Sequence, residues 1–570
     1  MTNFEPPLDD ARLDKLLDAI RVRAKRDPGD EKVRADLAFF LFQRLCGAKA
    51  DGDLARRDAL LDELRDLARR HPRHAPSREN LAKGLVNAHL EAPGEGALAR
   101  RAPLLDELRA LVWSGAQEAA VREALALALF NALAEPLAEG DLAAADSLLE
   151  ELRTLARGYP DDAPTRERLA SGLWKTLIGA SAQQDLTRED ALLNELRAIA
   201  RTYPEDAPLR KPLAGALYDA LKHARAAGNF ARGDGLLDEL RSLERTYPGD
   251  PQTRHHLAGA LVGKLSHAKA ERDFALRDRI LDELRALARV YPGDSSVADW
   301  LAFAFFGSFA DALAENSIVP GDALLDELRL LARNHPDAGQ VREALGDSLF
   351  NALDHAVRAG NFAGRDALLG ELRLHSRRHP EDAMLRERLA MSLVNSITST
   401  RQEGNAARRT LLLNELRHLA EDFPEEPELR KQLTMGLFNA QNQVLAAGDF
   451  DSADRILVEL NDLVRRHPSE MPAYEQLARG LANLLVAALA AGDAAHRDGA
   501  LNGLRSLAEV LPAHPLICEC LAKGLFNTLE HAKAVSDLPR RNALLEELRG
   551  LARTNPDHET LRKALAAASL

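Results

Sequence analysis

The stretch Val341–Gly360 reads VREALGDSLFNALDHAVRAG, and it decides the fold. Its apolar side chains recur every three or four residues, the period of an α-helix with one apolar face. It ends at Gly360-Asn361, a pair that favours a turn with a positive φ angle. We call this pattern helix A. Its apolar positions are Val341, Leu345, Leu349, Ala352, Leu353 and Ala356.

A second helical pattern follows each helix A, and we call it helix B. It is typified by RDALLDELRDLAR at residues 57–69. Pro103 predicts the start of helix B in one copy, because proline is tolerated in a first turn. Basic residues and then a proline close the pattern. Four aspartates predict the N-cap or first turn of other copies: Asp278, Asp322, Asp366 and Asp498.

The A and B patterns recur along the whole chain without insertion or deletion. The second Leu of the LLDELR motif returns every 44 residues. One copy offers too few apolar side chains to be stable alone, so neighbouring copies must stack. The motif leucines are Leu17, Leu61, Leu105, Leu149, Leu193, Leu237, Leu281, Leu325, Leu369, Leu413, Leu457, Leu501 and Leu545.

A small residue recurs in the middle of helix A, which predicts that two helices approach closely there. It is Gly, Ala or Ser in the eleven copies from Gly84 to Gly524, as at Gly84, Ala128, Ser392 and Gly436. A leucine, a small residue, an aromatic, Gly-Asn/Asp-Phe, an Ala-rich second helix and a closing Pro together resemble the tetratricopeptide repeat. The likeness covers essentially the whole chain, although this unit is ten residues longer than the 34 of that family.

The repeat and the resemblance together predict an all-α fold. It is a right-handed α-solenoid of about 13 antiparallel helix-turn-helix repeats, or about 26 helices. Residues 1–8 are predicted to be a disordered N-terminus, and residues 9–570 a single solenoid. The solenoid is predicted to start with a lone helix B and to end inside a helix A.

Composition limits the classes of function. The formal net charge is -13, so the molecule as a whole repels nucleic acids and anionic membranes. No run of eighteen apolar residues occurs, and a cytoplasmic protein with no membrane partner is expected. A phosphate-binding loop, a metal-ligand pair and an activated nucleophile are all missing from the sequence. We therefore expect no enzymatic activity, no cofactor and no metal site.

The most repeated charged residues are arginines in helix B, each two positions after a Glu. We interpret them as an ion-pair ladder between copies, because a residue that every copy needs serves stacking. Arg78, Arg122, Arg166 and Arg210, at the start of helix A, form a predicted second rung with the acidic residues just before them. The helix B arginines are Arg65, Arg109, Arg153, Arg197, Arg241, Arg285, Arg329, Arg373 and Arg417.

An asparagine recurs in the middle of helix A, and we call this position the Asn column. Asn is a mediocre helix former, so its repetition asks for a hydrogen-bond partner. The column lapses to Lys175, Asp219, Gly263 and Gly307 in four copies that keep their packing. Its members are Asn87, Asn131, Asn351, Asn395, Asn439, Asn483 and Asn527.

Side chains one turn from the Asn column vary, which is typical of a groove that holds a peptide backbone generically and reads side chains specifically. In proteins that resemble tetratricopeptide repeats, helix A lines the concave face and an Asn there binds the ligand. The predicted specificity residues are Asp347, Met391, Met435, Arg479 and Lys523 before the column, and His355, Gln443 and His531 after it.

Three functions compete. The first is a scaffold that binds a peptide or partner protein on the concave helix A face. The second is an architectural protein that self-associates head to tail through uncapped ends. Modular RNA binding is the third, disfavoured by the negative charge. At the level of the residues, the Asn column has an alternative role as a structural ladder that bonds neighbouring helices.

Overall fold

The computed structural model describes residues 10–50, 52–90, 97–114, 118–315, 318–555 and 558–568. Within these ranges all regular structure is helical, with 27 α-helices, one 3₁₀ turn and no strand. The predicted class, an all-α solenoid, is confirmed. The predicted disordered segment 1–8 lies outside the described residues.

Thirteen of the described helices follow the helix B pattern. The B helices are α1 (Asp10–Arg26), α3 (Leu54–Arg70), α5 (Ala97–Trp113), α8 (Leu142–Gly158), α10 (Leu186–Thr202), α12 (Phe230–Thr246), α14 (Phe274–Val290), α16 (Ile318–Asn334), α18 (Phe362–Arg378), α20 (Ala406–Asp422), α22 (Phe450–Arg466), α24 (Ala494–Val510) and α26 (Leu538–Thr554).

The A helices alternate with them and start at 44-residue intervals. They are α2 (Glu31–Ala50), α4 (Ala75–Leu90), α6 (Ala119–Ala132) with α7 (Ala134–Glu139), α9 (Ala163–Ala182), the turn Ala207–Leu209 with α11 (Arg210–Ala226), α13 (Pro251–Ala270), α15 (Ser295–Ala314), α17 (Gly339–Arg358), α19 (Ala383–Glu403), α21 (Pro427–Ala446), α23 (Met471–Ala491), α25 (Pro515–Ala534) and α27 (Glu559–Ala568).

One A helix is interrupted, where α6 ends and α7 begins. Pro136 lies four residues after the last residue of α6, Ala132. Proline has no N–H to donate, and its ring clashes with the carbonyl four residues earlier, so the helix breaks at this point.

The chain divides into two compact units, Met1–Val297 and Ala298–Leu570. Within each unit an A helix packs against the A helices of the adjacent copies as well as against its own B neighbours. The predicted apolar face of α17 is confirmed, because Val341, Leu349 and Leu353 are fully buried.

The predicted close approach at the small-residue position is also confirmed. A Cβ added at Gly436 would lie 2.6 Å from Leu416 of α20, and one at Gly480 would lie 2.8 Å from Leu457 of α22. Real Cβ atoms do not approach other atoms so closely, so a larger residue there would displace these helix B leucines.

Two predicted helix starts are wrong. The N-cap of a B helix, where one is described, is the residue after the positive-φ turn residue: Asn361 accepts a hydrogen bond from the N–H of Gly364, with Gly360 at φ 70°. Asp366 lies inside the helix instead, as the other three predicted aspartates do. Pro103 lies within α5, which already begins at Ala97. Asn and Asp near the start offered two candidate caps, and the sequence alone did not separate them.

Among the described residues, one helix is long and apolar enough to cross a membrane by length and composition. This helix is α15, and half of its apolar stretch is buried inside the protein. Its phenylalanines account for the composition: Phe305 and Phe309 are buried, whereas Phe303 is 54% exposed.

Candidate functional site

The predicted helix B ladder is confirmed. Arg329 donates from Nε and Nη2 to the two carboxylate oxygens of Glu371, at 2.8 and 2.7 Å, across to the next B helix. Its Nη1 also donates to Asp326, one turn earlier on its own helix, at 2.7 Å. A guanidinium with five donors in a plane suits this double role. The other Arg–Glu rungs include Arg65–Glu107, Arg109–Glu151, Arg153–Glu195, Arg197–Glu239, Arg241–Glu283, Arg373–Glu415 and Arg417–Glu459.

One rung of this ladder is replaced as a whole. Where other copies have an Arg and a Glu, the joint between α22 and α24 has Asn461 and Gly503, and Val458 replaces the acid or amide that most copies have one turn before the Arg. The space at Gly503 is taken by Leu481, whose Cδ2 lies 2.9 Å from the position of an added Cβ. The Arg and the Glu are lost together, which leaves no uncompensated charge at this joint and indicates that these two residues act as one pair.

The arginines that open the A helices have three kinds of partner. Arg166 bonds Asp206 of the next copy at 2.6 Å, lies 4.1 Å from the ring centroid of Tyr203, and donates to the carbonyl of Pro160. The prediction that these arginines pair with the acid just before them is wrong, because the paired carboxylate is forty residues later. Arg78 pairs likewise with Glu118, and Arg122 with Asp162.

These contacts explain the flat ring that precedes the closing proline. Arg122, Arg210 and Arg254 lie over Tyr159, Tyr247 and Tyr291 at 4.1 to 4.3 Å. A guanidinium above an aromatic face is a cation–π contact. The charged and aromatic columns are therefore parts of the stacking.

The Asn column lies on the A helices, where its amides reach back to the preceding A helix. Asn439 donates to the hydroxyl of Thr398 at 3.0 Å, and Asn483 donates to the side-chain oxygen of Asn442 at 2.8 Å. Asn395 donates to Asp354 at 3.3 Å. The alternative role, a ladder that bonds neighbouring helices, is confirmed for these three residues.

Elsewhere the residue at the acceptor position is apolar, and the ladder is interrupted. Asn131 turns back to the carbonyl of Leu127 in its own helix, at 2.8 Å. Asn87 has only the sulfur of Cys46 at 3.5 Å. No hydrogen-bond partner of the Asn351 or Asn527 amides lies in the described part of the chain, because Ala310 and Val486 occupy the acceptor positions.

The predicted specificity residues before the Asn column share its exposed side. Met435 is 39% exposed, and Arg479 and Lys523 are exposed as well. Asp347 and Met391 are half-buried, and both contact Arg388, a residue that the sequence analysis did not single out. We call the exposed side of the five A helices α17, α19, α21, α23 and α25 the A face. It comprises the Asn column, the positions four before it and the positions three after it.

The predicted specificity residues after the column do not share this exposed side, and the prediction that Gln443 contacts a ligand is wrong. Gln443 is 9% exposed, its Nε2 donates to the carbonyl of Ile397 at 2.7 Å, and its Oε1 accepts from Thr400 at 3.0 Å. Gln443 therefore links α21 to α19 by buried hydrogen bonds and is not available to a ligand. His355 and His531 occupy the same helical position and are half-buried.

A cleft of about 560 Å³ opens between α15 and α17. Asn351, His355 and Arg358 supply its polar lining, and Ala310 and Leu313 supply apolar lining. Arg358 forms an ion pair with Asp354. This cleft brings together two predicted site residues, one of them an Asn whose amide has no partner among the described residues.

The partners of the Asn column were missed from the sequence, although a signal exists. Asp354, Thr398 and Asn442 each lie 41 residues before the Asn that bonds them, one copy minus three residues. On adjacent stacked helices this offset places two side chains side by side, so the pairing follows from the repeat length and the helical turn.

No protein family and no curated protein matches this chain. Solved structures do match. A structure from a study of the interaction between cadherin and β-catenin is 14% identical and covers 95% of this chain and 97% of its own, with a TM-score of 0.32. Yeast Tom70 is 13% identical, with 95% and 96% covered and a TM-score of 0.24. A human IFIT1 dimer with PPP-AAAA is 12% identical, with 89% and 96% covered and a TM-score of 0.23. At such values the likeness does not extend to function.

Proposed function

We propose that this chain is a tetratricopeptide-like scaffold, with a unit expanded to 44 residues, that binds a peptide or partner protein on the A face. It acts by recognition and not by catalysis. The cytoplasm is its proposed location.

The single observation that carries this proposal is the state of the Asn439 and Asn483 amides. Each amide donates one N–H to a side-chain oxygen of the preceding A helix, and no other hydrogen bond of either amide occurs among the described residues. The lateral bond restrains the plane of the amide and leaves one N–H and the carbonyl oxygen for a ligand. A fixed donor and acceptor pair matches the backbone of an extended peptide.

The rest of the A face supports the same reading. Met435 and Val486 are exposed apolar side chains on it, at 39% and 52%. Flexible Met and aromatic side chains are enriched at protein interfaces. Between them stand charged groups that differ from copy to copy, such as Asp347 and Arg479. Such a surface combines generic backbone contacts with position-specific side-chain contacts.

The experiment compares three proteins as bait in extract of the source cells. One is wild type, one carries Asn395→Ala, Asn439→Ala and Asn483→Ala, and a control carries Arg329→Gln, Arg373→Gln and Arg417→Gln on the helix B side. The proposal expects a protein that is retained by wild type and control and lost by the Asn variant. Retention of the same proteins by all three, each shown to be folded by its melting curve, contradicts it.

A further inference from the structure

The A helices of the first unit include a run with an excess of positive charge. Helices α9, α11 and α13 carry ten Arg and Lys against only two acids, Glu167 and Asp219. The five A helices α17 to α25 carry ten against nine. In a chain with a net charge of -13, this is a local reversal of sign.

Part of this charge is not neutralised by the protein. Neither Lys175 nor Lys211 forms an ion pair among the residues that the structure describes. The side chain of Lys222 is 62% exposed, and its ammonium is 3.9 Å from the carboxylate of Asp219, which makes this a weak ion pair. Lys175 lies 5.0 Å from the ring centroid of Phe130, and burial lowers its pKa. A partly desolvated ammonium without a counter-ion gains from an incoming anion.

Aromatic rings lie between these lysines. His256 of α13 is 5.4 Å from the ring of Tyr218 and 6.2 Å from that of Trp174, and the ammonium of Lys222 is 5.4 Å from Tyr218. Both ring nitrogens of His256 are buried and have no hydrogen-bond partner among the residues that the structure describes. The indole N–H of Trp174 donates to Asp219 at 2.9 Å, which engages the single acid of α11.

Glycine makes room for this arrangement. A Cβ at Gly215 would lie 2.3 Å from Cζ2 of Trp174, so the indole lies flat on α11 only because residue 215 has no side chain. Gly263 does the same for Arg225, whose Nη1 would be 2.8 Å from a Cβ there and donates to the carbonyl of Ala260 at 2.8 Å. The lapse of the Asn column at Gly263 thus has a local cause.

The lapse and the cluster occupy the same copies. Lys175 and Asp219 stand at Asn-column positions, and Trp174 and Tyr218 directly precede them. The copies that lack the polar amide therefore present a surface of different chemistry. We call it the basic aromatic patch, formed by Trp174, Lys175, Lys211, Tyr218, Lys222 and His256.

We propose that the basic aromatic patch is a second docking site, which binds an acidic protein segment that carries aromatic or other apolar side chains. Lysines meet its carboxylates, and the Trp174 and Tyr218 rings meet its apolar side chains. This site is separate from the A face, and the proposal for it does not depend on the proposal for the A face.

A protein segment fits this surface better than a nucleic acid. Single-stranded nucleic acid binding needs a continuous basic track along the backbone. The patch is confined to three A helices of a chain with a net charge of -13, which repels a long polyanion outside that area. A short acidic segment is attracted by the local charge and does not extend into the repulsive surroundings.

The test uses the full chain and a fluorescein-labelled peptide, Glu-Phe-Glu-Glu-Phe-Glu repeated twice. The patch variant carries Lys175→Gln, Lys211→Gln and Lys222→Gln. The control variant carries Lys431→Gln, Lys533→Gln and Lys563→Gln, an identical change in net charge on the A helices of the second unit. A further variant, Gly215→Ala, displaces the Trp174 ring without a change of charge. Melting curves confirm that each variant is folded.

We expect the patch variant to bind the peptide about tenfold more weakly and the control variant to bind it as wild type does. Gly215→Ala weakens binding too, and added salt weakens it in wild type. Equal loss in both triple variants overturns the proposal, because the attraction would then be non-specific. No binding by wild type also overturns it. Tighter binding of a 12-nucleotide oligouridine than of the peptide, lost in the patch variant, overturns it in favour of a nucleic-acid site.

Discussion

Asn439 donates a hydrogen bond to Thr398, 41 residues earlier on the preceding A helix, at 3.0 Å. The same hydroxyl donates to the carbonyl of Val394 at 3.0 Å. Thr398 thereby relays an A-helix carbonyl to the amide of the next copy, and the amide is held in one orientation at the surface. An amide held in one orientation loses little entropy when a ligand binds, which links this stacking bond to recognition.

Thr398→Val tests that link, because it removes the acceptor and keeps the shape of the side chain. We expect weaker binding of an A-face ligand with a change in the free energy of unfolding below about 1 kcal/mol, since both groups face solvent. Calorimetry with the ligand and thermal unfolding measure the two quantities. Asn439→Ala weakens binding further, because it removes the contact itself. Unchanged affinity in Thr398→Val would mean that the lateral bond plays no part in recognition.

The Arg329–Glu371 rung predicts a coupling between adjacent copies. A double-mutant cycle with Arg329→Gln and Glu371→Gln is expected to give a coupling free energy of about 1 kcal/mol, because the ion pair is bidentate but partly exposed. The nearby Asp326 holds the guanidinium at 2.7 Å and adds to the coupling. Urea unfolding of the four proteins measures it, and raised salt should reduce it. A coupling within error of zero would show that the ladder does not stabilise stacking.

The joint with the missing rung predicts a gain of stability on repair. Asn461→Arg together with Gly503→Glu restores the pair, and replacing a helical glycine removes a further penalty of about 0.5 to 1 kcal/mol. Leu481 must move from the space beside residue 503, which its flexible end allows. We expect the double variant to melt at a higher temperature than either single variant. A double variant no more stable than Gly503→Glu alone contradicts the role given to the rung.

Burial of His256 predicts a pH dependence of stability. Burial, with a smaller effect from His255, lowers the pKa of His256 from 6.5 to about 4, while Asp250 acts in the opposite direction and Lys211 lowers it further. Between these two values the unfolded chain takes up a proton that the folded chain does not, so stability falls as pH falls from about 6.5 to about 4.

His256→Phe removes that proton and keeps a flat ring. The variant is therefore expected to lose less stability than wild type over this interval, by about 2 kcal/mol. Thermal unfolding at a series of pH values measures the difference. Parallel stability curves for the two proteins would show that His256 titrates normally.

The repeated features could be predicted because they depend on spacing alone. The apolar stripe that includes Leu349, the small residue at Gly436 and the Arg329 ladder all follow from residue type at fixed intervals. The partners of Arg166 could not be predicted in the same way. Asp162 lies four residues before Arg166 and Asp206 lies forty residues after it, and only the stacking of the copies decides that Asp206 is the one it meets.

Helical geometry explains why the three predicted flanking residues after the column were misplaced. Residues four before and four after an Asn lie on opposite sides of it, each about 40° around the helix. One step turns Met435 towards solvent, and the other turns Gln443 into the junction with the neighbouring helix. The sequence shows both columns as variable, and variability alone does not separate an exposed column from a buried one.

The most direct test of recognition by the A face is calorimetric titration of the segment recovered from the captured partner. The three proteins compared are wild type, the Asn395, Asn439 and Asn483 to Ala variant, and the Arg329, Arg373 and Arg417 to Gln control. The account predicts that the Asn variant binds the segment at least about tenfold more weakly, with a melting temperature close to wild type, while the control retains its affinity. Equal affinity of all three proteins for the segment would contradict it and leave the Asn column as a stacking ladder.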